Sequence, residues 1–204
     1  MTVSSVRRRT FALAITTVFL AALVASAPAE ARPKVSVSYS YFSVSGGSAL
    51  QLLRNLEIHG PNVDGTSAYA ATSSKMDFTG SLVQAKTCQL RNFGIIMKYG
   101  IRLPRAKLAG TSSSLKSAWR AFDAFLRRHE ITHTTIWTNC ASQLEARIRS
   151  LRIATCDALS SKIDSLISSS QAACNAKHDS FDRAERARLA AQPLVKRALK
   201  AAGQ

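Results

Sequence analysis

Acidic residues are scarce in this chain: its 204 residues hold 12 Asp and Glu against 28 Lys and Arg, a formal net charge of +16. Such a balance points to anionic partners. Specific nucleic-acid binding is not expected, because the cations are scattered (Arg147, Lys162, Arg186, Lys200) rather than interleaved with aromatic side chains. Long apolar runs are also missing. The longest, residues 11 to 24, is about 14 residues, short of the roughly 20 that a membrane-spanning helix needs. No C-x-x-C pair occurs, which weakens any reading in which cysteines ligate zinc, and no internal repeat is visible.

What is present begins with the short apolar run. Arg7, Arg8 and Arg9 precede it and Ala29-Glu30-Ala31 offers a small-x-small cleavage site, so residues 1–31 read as a secretory signal peptide. Arg8-Arg9-Thr10-Phe11 also resembles a twin-arginine signal. The first 31 residues carry three arginines and Glu30, which leaves a net +14 on residues 32–204. The expected location is periplasmic or extracellular after cleavage near Ala31, where anionic surfaces and wall polymers are the acidic partners available. Four cysteines in an oxidising compartment imply two disulfides among Cys88, Cys140, Cys156 and Cys174, with three pairings open.

The run His129-Glu130-Ile131-Thr132-His133 has the form H-E-x-x-H. On a helix, residues four apart share a face, so two imidazoles can grip one metal ion while the glutamate stands beside it. Leu115, Trp119, Phe122 and Leu126 mark the inward stripe of an amphipathic helix, and the same stripe continues through His129, His133, Ile136 and Cys140. Histidines on an inward face are costly unless something satisfies their nitrogens, and zinc is the ion this pair suits.

The pattern predicts an α+β fold: an N-terminal antiparallel sheet with a short helix, then a long antiparallel helical hairpin carrying H-E-x-x-H. One domain spans residues 32–204, mainly β over 32–110, mainly α over 111–192, with a tail at 193–204. Val35, Val37, Tyr39 and Tyr41 alternate with serines as a strand does. A short helix runs from Ser48 to Gly60-Pro61, Asn62 to Gly65 form a turn, and further strands occupy 67–79, 88–90 and 94–103, with a bulge at Gly100 and a stop at Pro104. Thr111 to Ser114 cap a helix that persists to about Leu151, with Thr138-Asn139 or residues 153–155 as possible breaks, and a second runs from about Asp157 to Ala191 before Pro193.

A hairpin turning near residue 157 pairs positions that sum to about 314. This register sets Cys140 opposite Cys174, which would leave Cys88 for Cys156. It also sets residues 181 to 185 opposite His133 and His129, so a third ligand is sought among His178, Asp182 and Glu185. His178 is preferred on chemistry, with Asp182 and Glu185 as alternatives nearer the expected level.

The chain resembles the predicted secreted zinc-dependent proteases of bacteria, a domain family of poorly defined role. The resemblance rests on Tyr41-Phe42-Ser43-Val44-Ser45-Gly46, His59-Gly60-Pro61, Cys88, Leu103-Pro104-Arg105, His129-Glu130 with His133, Cys156 with Leu159, and Phe181-Asp182. It implies that His129 and His133 bind zinc, that Glu130 is catalytic and that Cys88 pairs with Cys156. Where the family continues into a T-x-H-G segment, this chain has Glu185-Arg186-Ala187-Arg188. Ile136 and Asn139 stand where a metzincin has glycine and histidine. The expected function is therefore a zinc metallopeptidase acting on peptide or protein in the cell envelope, Glu130 being the general base. Residues 94 to 103 are the expected strand edge for substrate and Tyr99 the candidate oxyanion donor. The alternatives are zinc-dependent hydrolysis of a wall peptide or amide, and a non-catalytic basic envelope module with a structural or vestigial metal site. Oligomeric state is not read from the sequence.

Overall fold

The computed structural model describes residues 32–63 and 65–203; the segment read as a signal peptide lies outside the described residues. The elements are β1 (Lys34–Ser45), α1 (Ala49–His59), β2 (Asn62–Val63), β3 (Thr66–Ser67), β4 (Ala71–Gln84), β5 (Cys88–Lys107), α2 (Ser113–Arg149), α3 (Cys156–Ala190) and α4 (Pro193–Ala201). This is the expected α+β organisation, a sheet and a short helix followed by a long helical hairpin.

The sheet order is β1-β5-β4. β4 runs antiparallel to β5, but β1 runs parallel to it, so the sheet is mixed rather than wholly antiparallel. The alternation in β1 predicts a strand without specifying its partner's direction; α1 and the β2–β3 hairpin carry the chain across so that β4 lands on the far side of β5. β5 is one continuous strand of 20 residues. Its odd-numbered residues from Phe93 to Leu103 are buried against α2, while Lys98 and Arg102 on the other face are exposed. Gly100 sits in regular register opposite Ser73, and the irregularity falls instead between Thr79 and Ser81, at Gly80 with φ 125°. Pro104 does not end β5, because the β4 ladder stops at Arg102 and leaves no partner on that side for a missing N–H.

Helices α1, α2 and α3 start at side-chain caps. Ser48 accepts from Gln51 N, Ser112 from Leu115 N and Thr155 from Ala158 N. Helix α2 is unbroken through Thr138-Asn139; the chain reverses at residues 150–155. Residues 193–201 form a packed helix rather than a tail. Pro193 occupies its first turn, where a missing N–H costs nothing, and Leu194 and Ala198 are buried.

Two apolar clusters hold the domain together. The first gathers Leu52 and Leu56 of α1, Leu103 of β5, Phe122 of α2 and Leu194 of α4; the second joins Ile95 and Met97 of β5 to Leu144 and Ile148 of α2 and Leu166 of α3. Each fully buried side chain of this size contributes about 1.5–3 kcal/mol of transfer free energy. Between them, from Leu126 to Cys140, the one buried residue of α2 is Glu130. Disulfides Cys88–Cys156 and Cys140–Cys174 tie β5 and α2 to α3, the pairing that the hairpin register favours. They fit an oxidising, exported environment. Among the described residues no helix is long and apolar enough to cross a membrane.

Candidate metal centre

The polar interval of α2 is where the chemistry collects. His129 and His133 lie one turn apart, their Nε2 atoms separated by 3.1 Å. Asp182 of α3 closes a triangle, its Oδ1 lying 3.3 Å from His129 Nε2 and 3.1 Å from His133 Nε2. Tetrahedral zinc with ligands at about 2.0–2.1 Å requires donor atoms about 3.3–3.4 Å apart, so this set has the spacing of a three-ligand face. Asp182 Oδ1 is buried without a hydrogen bond, as an atom awaiting a cation would be. Burial depresses the pKa of both imidazoles, keeping them neutral with lone pairs available; for His133 the fall is large.

The three downstream residues proposed as third ligand thus take different places. Asp182 joins the histidine pair, whereas His178 stands behind it, with Nδ1 2.7 Å from His133 Nδ1. A hydrogen on His133 Nδ1 shared with His178 leaves His133 Nε2 free for a metal, the usual task of a partner behind a ligating histidine. Glu185 stands similarly behind His129, Oε2 lying 4.0 Å from its Nδ1, and its Oε1 accepts from Arg188 Nη1 at 2.7 Å. His178 and Asp182 are one turn apart on the same helix. Chemistry favours the imidazole, but the level of the turn brings the carboxylate to the histidine pair. Phe181 stacks on His129 at 4.9 Å between ring centroids, and Trp137 lies 4.8 Å from the His178 ring.

Glu130 is buried, and its carboxylate meets β4. Its Oε2 accepts from Thr72 Oγ1 at 2.7 Å, and the same hydroxyl reaches the Glu130 carbonyl at 3.2 Å. Burial is the main cause that raises its pKa to about 7, with the negative Asp182 adding and the Thr72 bond opposing. A carboxyl group poised there can accept and return a proton near neutrality. Thr72 was not legible in the sequence: it comes from a strand 58 residues away and no spacing marks it.

Two open clefts meet at this point. One, of about 570 Å³, is lined by Ala70, Thr72, Glu130, His133, Trp137 and Asp182; the other, of about 510 Å³, runs past Ala68, Tyr69, Phe125, His129 and Glu130. Their shared wall, residues 68–70, is held close by the His59-Gly60-Pro61 segment. Ala68 N donates to Pro61 O at 2.9 Å, and a Cβ on Gly60 would fall 2.1 Å from Ala68 O, so only glycine permits that approach. His59 itself is exposed and outside the cluster. Tyr99 is also outside: its hydroxyl meets Thr138 Oγ1 at 2.9 Å and its ring lies in the second apolar cluster. Residues 94 to 103 lie in the central strand, and 96 to 102 are paired on both sides, so they are not an available edge; the edge strand beside Glu130 is β4.

Fold and site together define an α+β chain with a candidate His-His-Asp metal centre set into a helical hairpin. Residues 39–188 match the family described as "Bacterial protein of unknown function (DUF922)", and the chain belongs to that family. No curated protein and no solved structure matches it.

Proposed function

We propose that this chain is an exported zinc-dependent peptidase. The observation that carries the reading is the triangle of His129 Nε2, His133 Nε2 and Asp182 Oδ1, with edges of 3.1, 3.1 and 3.3 Å, beside a buried glutamate. These three residues would hold the ion, and when bound it supplies Lewis acidity and a water of lowered pKa. Glu130 then has two separable jobs. Its Oε2, engaged by Thr72, fixes the carboxylate, and Oε1 exchanges the proton, first from the attacking water and then to the leaving amine. The outer edge of β4 near Ala71 and Thr72 would receive an extended peptide, with the clefts taking its side chains.

The basic balance of the chain favours work near anionic polymers of the envelope, on protein or on wall peptides. Glu130→Gln tests the proposal. It should keep zinc while lowering hydrolysis by roughly 10²–10⁴-fold, measured as release of fragments from casein and from peptidoglycan. Oxidised, zinc-loaded wild type that cleaves neither substrate would sink the peptidase reading and leave the non-catalytic envelope module in its place.

A further inference from the structure

We propose that the Cys140–Cys174 disulfide is the clamp that brings the third donor to the two histidines, so that the metal site gains its affinity only when that bond has formed. The proposal rests on the zinc reading above and names how that same site is controlled.

Helix α3 supplies Asp182, His178 and Glu185, yet its buried residues are only Leu159, Leu166, Cys174 and Glu185. Beyond Leu166, then, none of its buried residues is aliphatic. The facing stretch of α2 between Leu126 and Cys140 offers only Glu130. At the level of the site the two helices therefore meet without an aliphatic seam, through ring contacts of Phe181 with His129 and of Trp137 with His178.

What meets there besides these rings is a set of lone pairs. Two imidazole nitrogens and a carboxylate oxygen at 3.1–3.3 Å attract one another only through a cation or a shared proton. Without the ion, something besides the ring contacts must hold the donors in place. The Cys140–Cys174 bond is placed to do this. Cys174 lies one turn before His178 and two before Asp182 on α3, and its Sγ is 4.0 Å from His178 Nε2. On α2, Cys140 lies two turns after His133, and the bonded Cα atoms are 6.1 Å apart. The other disulfide, Cys88–Cys156, ties the start of β5 to the start of α3, and Leu189 near the far end of α3 packs on the first apolar cluster, so Cys140–Cys174 is the covalent tie nearest the donors.

Closing the bond takes two electrons and two protons from the Cys140 and Cys174 thiols, accepted by a disulfide-bearing exchange partner that leaves as its dithiol. In the reduced chain, zinc must itself fix the donor-bearing stretch of α3 from His178 to Glu185, and that cost is subtracted from its affinity. In the oxidised chain the donors are already at a high effective concentration. Metal loading thus follows oxidation, which places it after export.

Zinc affinity measured by chelator competition decides the matter, with hydrogen exchange over residues 170–190 as a second readout. Oxidised wild type is compared with C140A/C174A and with C140V/C174A, which refills part of the lost volume. Both variants should bind zinc at least about tenfold more weakly and exchange faster over 170–190. If wild type binds no zinc, the metal reading itself falls. Should wild type bind zinc while a folded variant matches it in affinity or in exchange, only the clamp is overturned. Loss of helix content in both variants would also overturn it, because the bond would then serve the whole fold rather than the site.

Discussion

At the turn end of the α2–α3 hairpin, Leu144 and Ile148 meet Leu166, with Ile163 and Ile167 beside them; at the other end the same two helices meet through His129, His133 and Asp182. The first region is stabilised by expelling water and needs no ligand. The second buries polar groups whose hydrogen bonds are incomplete, since His129 Nδ1 and Asp182 Oδ1 have no hydrogen-bond partner. The turn end shows how a buried acid is handled when no ion is intended. Glu145 there is paired with Arg149 one turn on, and its Oε2 accepts from Ile95 N at 3.3 Å. Asp182 has no such cationic side chain, only the two neutral histidines. Each acid keeps one buried oxygen without a hydrogen bond, but Glu145 faces a guanidinium and Asp182 faces two histidines, which makes Asp182 the candidate ligand of the two.

That contrast can be broken from either side. Leu144→Ala should remove about 2–5 kcal/mol from the unfolding free energy, read from denaturant midpoints, while the folded variant keeps its zinc stoichiometry. An altered stoichiometry in the folded variant would mean that the two regions are one unit. A smaller effect, on the other region, is expected for His178→Ala and Glu185→Gln. Each should weaken zinc about 10–100-fold, equivalent to about 1.4–2.7 kcal/mol, with little change in the stability of the zinc-free protein. If either variant abolished binding outright, that residue would be a ligand and not a support.

Much of this contrast could be read before the structure, and the reasons differ by element. Helix periods and caps are local, so α2, α3 and the caps at Ser48 and Ser112 follow from spacing alone, while Thr155 reads only as part of a break. The hairpin register is nearly local, because a short turn leaves one free parameter; hence Cys140–Cys174 and the level of the third donor were within reach. His178 and Asp182 share a face one turn apart, and only the tilt of α3 on α2 decides between them. Strand order is non-local. Nothing in Val35 to Tyr41 says that the neighbour will run parallel, and nothing in residues 94–103 says that both sides of 96–102 will be taken. The helix at 193–201 was hidden by Pro193, which ends one helix and begins another. Thr72 was hidden by distance along the chain.

The most direct test of the account is zinc content per chain after equilibrium dialysis of the oxidised protein, measured on wild type and on Asp182→Ala, Asp182→Asn and Glu185→Ala. The account predicts about one zinc in wild type and in Glu185→Ala, with near-complete loss in both Asp182 variants. Full zinc in the folded Asp182 variants, or none in wild type, would contradict it.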